Sequence, residues 1–297
     1  MKEVNSEERL KIGYRVSIIT IIANLFLSII KIVIGIVAYS KAILADGVHS
    51  LSDVFSTIGV IIGLKLSSKK ADKEHPYGHE KFESLTSVFL GIMLLLVSLG
   101  IGFSGVKNLI YGTYSIPGSL AIFAAIISIL FKEAMYWYTL KYAEKINSTS
   151  LKADAWHHRS DSLSSIGALI GIIGARMGFT MLDPLIAIVI SIIIIKVSYD
   201  ILKQSINQLM DTSVNDDMIR EMREAIYSIY GVKNIDNLKT RLHANKIYVD
   251  VEISVESEIS VEEGHNIAMN VHNIIEENKD VKHCMVHVNP FIKKKVL

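Results

Sequence analysis

Two stretches of this chain place an imidazole and a carboxylate four residues apart: His49 and Asp53 in "ADGVHSLSDV", and His157 and Asp161 in "AWHHRSD". Residues four apart stand on one face of a helix. Each stretch heads an apolar run, where an unpaired ionisable group costs at least about 2.5–3.5 kcal/mol on insertion scales and is functional by default. Packed together, two such helices offer two nitrogens and two carboxylates, a tetrahedral set suited to Zn²⁺. Polar capping at helix ends is the plainer reading of one such pair, and its repetition in two helices disfavours it. Serines flank both pairs and are small enough for close helix packing and able to hydrogen-bond ligand side chains. His158 lies about 100° round the helix from His157 and reads as an interfacial residue.

A second cluster lies in the basic stretch "ADKEHPYGHEKFES", with Asp72, His75 and His79 spaced three and four apart. Pro76 and Gly78 between the histidines argue for a turn, so these ligands would converge around a loop rather than along a helix face. A polar loop that is simply rich in histidine is the alternative.

The elements that must position these groups follow from hydropathy. The chain has 297 residues, 50% of them hydrophobic, with a mean hydropathy of +0.37. That is too apolar for an ordinary soluble domain of this size and points to a membrane protein with a soluble part. A net charge of +1 suggests no nucleic-acid partner, and the single cysteine, Cys284, excludes an intramolecular disulfide framework and a cysteine-rich zinc finger. The polar start "MKEVNSEERLKIGYR" lacks the features of a signal peptide. Six spanning helices are expected, over 16–37, 42–66, 85–106, 120–140, 157–177 and 183–202. Lys69, Lys70, Lys73 and Lys81 fall in the second-to-third connection, and Lys141, Lys145, Lys152 and Arg159 in the fourth-to-fifth. The connections "YGTYSIPG" and "GFTML" hold neither lysine nor arginine. Both termini are therefore expected in the cytoplasm, in a multi-pass protein of the plasma (inner) membrane. Glu133 and Lys196 read as helix-packing partners, proton-path residues or snorkelling ends.

After about Asp211 the pattern becomes that of a small soluble domain, so the expected division is 1–211 and 212–297. "NDDMIREMREAIYSIYG" has helical periodicity, "NIDNLKTRLH" and "NKIYVDVEISV" read as strands, and "SVEEGHNIAMNVHNIIEEN" as an amphipathic helix capped by Ser260 with Glu263 three residues on. "VKHCMVHVNP" is a last strand stopped by Pro290. The order is α-β-β-α-β, an α+β domain of ferredoxin-like kind, and His243, His272 and His283 read as surface histidines.

With these motifs in place, the chain resembles the cation diffusion facilitators, a family of divalent-metal/proton antiporters. The likeness covers almost the whole chain and rests on both HxxxD pairs, the DxxHxxxH loop and the αββαβ domain. The resemblance implies a transport site at His49, Asp53, His157 and Asp161, a loop site at Asp72, His75 and His79, and a C-terminal domain that dimerises and binds metal between protomers. For that domain it implies His287 and His265 as ligands, with Asp236 and Glu252 where some relatives carry histidine, and Asn289 in place of an aspartate. The implied activity is efflux of a divalent metal, zinc or iron first, from the cytoplasm in exchange for protons, by alternating access in a homodimer and without enzymatic chemistry. Zn²⁺ is then both cargo and structural ion, and Fe²⁺, Co²⁺, Cd²⁺ and Mn²⁺ also suit the ligands. Two other readings stay open: a membrane metal sensor without transport, and an intramembrane zinc hydrolase, against which stands the lack of HExxH.

Overall fold

The computed structural model describes residues 6–37, 41–112, 119–179, 181–244, 246–278 and 280–292. The lysine-free connection over 113–118 lies outside the described residues, as does Thr180 in the second lysine-free connection. The described residues divide into two compact units, one up to residue 206 and one from residue 207 onward.

The larger unit is a bundle of six helices: α1 (Ser6–Val37), α2 (Lys41–Ser67), α3 (Lys81–Tyr111), α4 (Ser119–Lys145), α5 (Thr149–Arg176) and α6 (Leu182–Leu209). Among the described residues, five of them, all but α5, are long and apolar enough to cross a membrane by length and composition. α5 is of similar length at 28 residues but carries a polar first half. It starts at Thr149, two turns before the expected 157, because helical hydrogen bonding does not wait for the apolar run. His157 and Asp161 therefore stand well inside the helix rather than at its mouth.

The bundle inverts the pattern of a soluble protein, as lipid requires. On α1, Ser17, Thr20, Asn24, Ser28 and Lys31 recur at helical spacing and are buried, whereas Ile18, Ile22, Phe26, Ile29 and Val33 are exposed. The polar seam is tied across to α2: Ser28 Oγ donates to the Gly47 carbonyl at 2.7 Å, and Lys31 Nζ donates to Ser50 Oγ at 3.0 Å and pairs with Asp46 at 2.8 Å. Glycine makes this approach possible. A Cβ at Gly47 would lie 2.9 Å from the Ile32 backbone nitrogen. α1 packs chiefly on α2 and α4 chiefly on α5, while α2 and α3 also touch α5. The first half of α5 is thus enclosed by protein, and Ser150, Asp154, His157, His158, Ser160 and Ser162 are all buried.

The smaller unit carries α7 (Asp216–Tyr227), β1 (Asn234–His243), β2 (Lys246–Val255), α8 (Val261–Glu276) and β3 (Val281–Pro290). β2 is central, antiparallel to β1 and parallel to β3. A parallel pair needs a crossover, which α8 supplies. Val249, Val251, Ile253 and Val255 alternate onto one sheet face and form a core with Met222 and Ile226 of α7 and Val271 and Ile275 of α8. The expected capping box is present: Ser260 Oγ accepts from the Glu263 N–H at 3.1 Å, and Glu263 accepts from the Ser260 N–H at 2.9 Å. Cys284 is buried in this core, and burial pushes its thiol up to about 12.

Candidate metal centre

α2 presents His49 and Asp53, and α5 presents His157 and Asp161, one turn apart in each case, and the two pairs converge. His157 Nε2 lies 3.3 Å from Asp53 Oδ1, and His49 Nε2 lies 3.9 Å from Asp161 Oδ1. Ligand atoms of His49, Asp53 and Asp161 lie within 4.8 Å of one another, and His157 joins them through Asp53. Asp53 and His157 are buried, Asp161 is 11% exposed, and His49 is 54% exposed, so the cluster opens on the His49 side.

A fifth residue, which sequence reasoning did not single out, completes the site. Lys132 of α4 extends its ammonium between the two carboxylates, 2.6 Å from Asp53 Oδ2 and 2.8 Å from Asp161 Oδ2. Its side chain is 2% exposed. Each carboxylate thus turns one oxygen to lysine and the other to an imidazole. Two buried carboxylates so close together demand a cation, because desolvation and mutual repulsion would otherwise be uncompensated. The signal was in the spacing: Ser128, Lys132, Tyr136 and Thr139 recur at helical intervals and are all buried. Glu133, singled out instead, accepts from Trp137 Nε1 at 3.1 Å and lies 3.8 Å from Arg159, the packing role among those proposed for it. Lys196 is exposed on α6.

One turn nearer the start of α5, a second polar pair is sealed in the bundle. Asp154 accepts from Thr57 Oγ1 of α2 at 3.2 Å and stands 3.6 Å from His158 Nε2, with both side chains wholly buried. His158 is therefore an interior residue, contrary to the interfacial placement expected for it. It turns off the His157 face, as expected, but that direction leads into the packed bundle.

The loop cluster closes as a turn. Asp72 Oδ1 accepts from the N–H groups of Glu74 at 3.0 Å and His75 at 2.7 Å. Gly78 takes a φ of +98°, open to glycine at little cost. His75 Nδ1 and His79 Nε2 each lie 3.4 Å from an Asp72 oxygen. His79 Nδ1 lies 3.2 Å from the Lys70 carbonyl, which can only accept, and this contact orients the ring with Nε2 toward Asp72. The backbone N–H of His75 holds the Asp72 carboxyl below its ordinary value. All three ligand atoms lie within 4.8 Å of one another.

In the smaller unit the named residues are only partly gathered. Glu252 on β2 faces His287 on β3 in register, and Ser254 faces Asn289. Asp236 accepts from Ser254 Oγ at 2.6 Å, Asn234 Nδ2 at 2.8 Å and Asn289 Nδ2 at 3.0 Å, and the Ser254 and Asn289 bonds chiefly hold its carboxyl low. His265 stands apart, exposed on α8, whose Val271 and Ile275 pack against the other sheet face. Among the described residues, none of these four belongs to a group of three converging ligand atoms. Sequence reasoning passed over a different convergence: His272, Glu276 and His283, where Glu276 Oε1 meets His283 Nδ1 at 3.1 Å and His272 Nε2 at 3.4 Å. His243, expected at the surface, is buried and packs on Tyr248.

Comparison with known proteins matches residues 17–210 to the cation efflux transmembrane domain and 214–291 to the cytoplasmic domain of cation efflux proteins. The manganese efflux system protein MneP of Bacillus subtilis (strain 168) is 34% identical, over 97% of this chain and all of its own length. Magnetosome protein MamB of Magnetospira sp. (strain QH-2) is 32% identical, over 88% of this chain and 89% of its own. Among solved structures, a cadmium form of the MamM C-terminal domain is 20% identical, with a TM-score of 0.25, over 26% of this chain and 98% of that one.

Proposed function

We propose a metal–proton exchange mechanism from one premise: this chain belongs to the cation efflux family, the cation diffusion facilitators, and is a multi-pass metal efflux transporter. The proposed cargo is a divalent transition metal, zinc or ferrous iron before others, carried out of the cytoplasm against protons by a homodimer with both termini inside. The observation that carries this reading is the convergence of two imidazoles and two carboxylates from α2 and α5, three of them largely buried and the site open on the His49 side.

Two nitrogens and two oxygens form a borderline set that favours zinc over harder ions. The same imidazoles supply the coupling, because neutral histidine binds metal and imidazolium does not. A site loaded from the cytoplasm would release its metal when it opens to a more acidic side and takes up protons. The loop cluster at Asp72, His75 and His79 is proposed as a second metal site. Asp236, Glu252, His265 and His287 are proposed as ligands completed between protomers. Residues 1–211 are taken as the transport domain and 212–297 as the dimerising domain, in a plasma-membrane protein.

A second reading, manganese as the physiological cargo, draws on the printed function of MneP and of MneS, a further Bacillus subtilis relative at 31% identity. Metal competition in proteoliposomes under a set pH gradient separates the two. Zinc flux that outlasts equimolar manganese and draws protons the other way is expected. Flux carried by manganese alone would overturn the choice of zinc, and complete zinc movement without proton counterflow would overturn the exchange.

A further inference from the structure

The Lys132 ammonium occupies the place between Asp53 and Asp161 that a metal held by both carboxylates would take. Its contacts of 2.6 and 2.8 Å are short charge-assisted bonds, made by a side chain that is 2% exposed. A carboxylate-bound zinc sits about 2.0–2.2 Å from oxygen, so metal and ammonium cannot both lie in that gap. The lysine also comes from α4, a helix that contributes none of the four proposed ligands. Its four-carbon stem is flexible and ends in a compact point charge, where arginine would impose a broad rigid fork.

We propose that Lys132 is a tethered counter-cation of the transport site: it fills the space between Asp53 and Asp161 when the site is empty, and incoming metal must displace it. The inference rests on the transport-site reading above and adds a specificity-determining residue to it. Two consequences follow. An empty site never exposes two bare carboxylates to a low-dielectric interior, which would destabilise the bundle. The affinity for metal is also held down by a competitor present in every molecule, which suits a carrier that must release its cargo. A monovalent competitor further disfavours monovalent ions, since sodium or potassium gains no charge over the ammonium it would replace.

The test uses the full chain in detergent, with Lys132→Met and Lys132→Arg beside the wild type and Asp53→Asn. Zinc affinity is read by competition with a fluorescent chelator, and melting temperature is measured with and without zinc. The component of binding that Asp53→Asn removes defines the transport site. Lys132→Met is expected to bind zinc there more tightly by about tenfold, the order of one lost charge-assisted contact. Its metal-free form should melt lower than wild type and gain more from zinc, because metal then supplies the missing cation. Lys132→Arg, which keeps the charge but as a broad rigid fork, should bind zinc there no more tightly than the wild type.

Unchanged or weaker zinc affinity in a folded Lys132→Met protein would reduce Lys132 to a structural tie between helices and overturn the proposal. If Lys132→Met cannot be purified metal-free, growth and purification in zinc provide the second reading: recovery of folded protein supports the counter-cation, and failure in zinc as well overturns it. The transport-site reading fails differently, through an Asp53→Asn protein that binds and moves zinc as the wild type does.

Discussion

The membrane site and the loop cluster use the same two chemical groups, and they hold them in opposite ways. In the membrane bundle, Asp53 and Asp161 are nearly or fully out of water and are held by an ammonium at 2.6 and 2.8 Å. In the loop, Asp72 is 53% exposed and is held by two backbone N–H groups. A buried carboxylate needs a full positive charge beside it, whereas an exposed one is satisfied by water and peptide dipoles. The first cluster is therefore governed by charge balance and the second by turn geometry, and substitutions should separate the two.

The largest effect is expected where charge balance breaks. Asp53→Ala or Asp161→Ala removes a proposed ligand and leaves Lys132 with a single partner in a dry interior. Zinc flux should fall to the level of protein-free liposomes, and the melting temperature should drop as well, since breaking a buried ion pair costs about 3–5 kcal/mol. Wild-type flux in either variant would remove the site from its place in the mechanism. His49→Asp is milder. It trades nitrogen for oxygen at the most exposed ligand and should shift the ratio of manganese to zinc uptake upward. An unchanged ratio would exclude His49 as a ligand.

How much of this was legible in the sequence differs by region for the same reason. The HxxxD pairs were visible because helical spacing and lipid cost act on neighbouring residues. The capping box at Ser260 and the alternation along β2 are local in the same sense, and both appear as read. Lys132 was missed because its significance depends on a third helix: only when α2 and α5 meet do two carboxylates demand a cation from α4. His158 was misread for a related cause, since the apolar run begins after it while the helix does not. Turn-breaking residues at Pro76 and Gly78 correctly signalled a loop, yet which nitrogen of His79 faces Asp72 follows from the Lys70 carbonyl, nine residues away. The meeting of His272 with His283 depends on how α8 docks on β3.

The loop should respond to pH in its own window. Backbone donation holds Asp72 below its ordinary value of 3.8, so the native turn is favoured while that carboxylate is ionised. The sign is that of a depressed acid: the stabilisation is complete above the unfolded value and fades as pH falls through the folded one. Hydrogen exchange at residues 72–79 should be structurally unchanged between pH 7 and 5, after correction for intrinsic rates, and should accelerate only below about pH 4. Loosening already at pH 5–6 would mean that a group other than Asp72 controls the turn.

The smallest effect sharpens the contrast from a third position, the sheet face of the C-terminal unit. Asp236 accepts from Ser254 Oγ at 2.6 Å, Asn234 Nδ2 at 2.8 Å and Asn289 Nδ2 at 3.0 Å, so an exposed carboxylate here is held by neutral side chains rather than by lysine or backbone. Asn289→Asp converts the last of these donors into a second carboxylate without changing its shape. Like charges at this distance repel, but solvent screening on an exposed sheet face keeps the cost small, within the roughly 0.5 kcal/mol usual for surface changes. The metal-free protein should therefore fold and melt within a few degrees of wild type, unlike the Asp53 and Asp161 variants. With zinc added, the new carboxylate pair gains a cation and the melting temperature should rise more than in the wild type. A large loss of metal-free stability would show that charge balance governs the sheet face as strictly as it governs the bundle, and the distinction between buried and exposed sites would not extend to this domain.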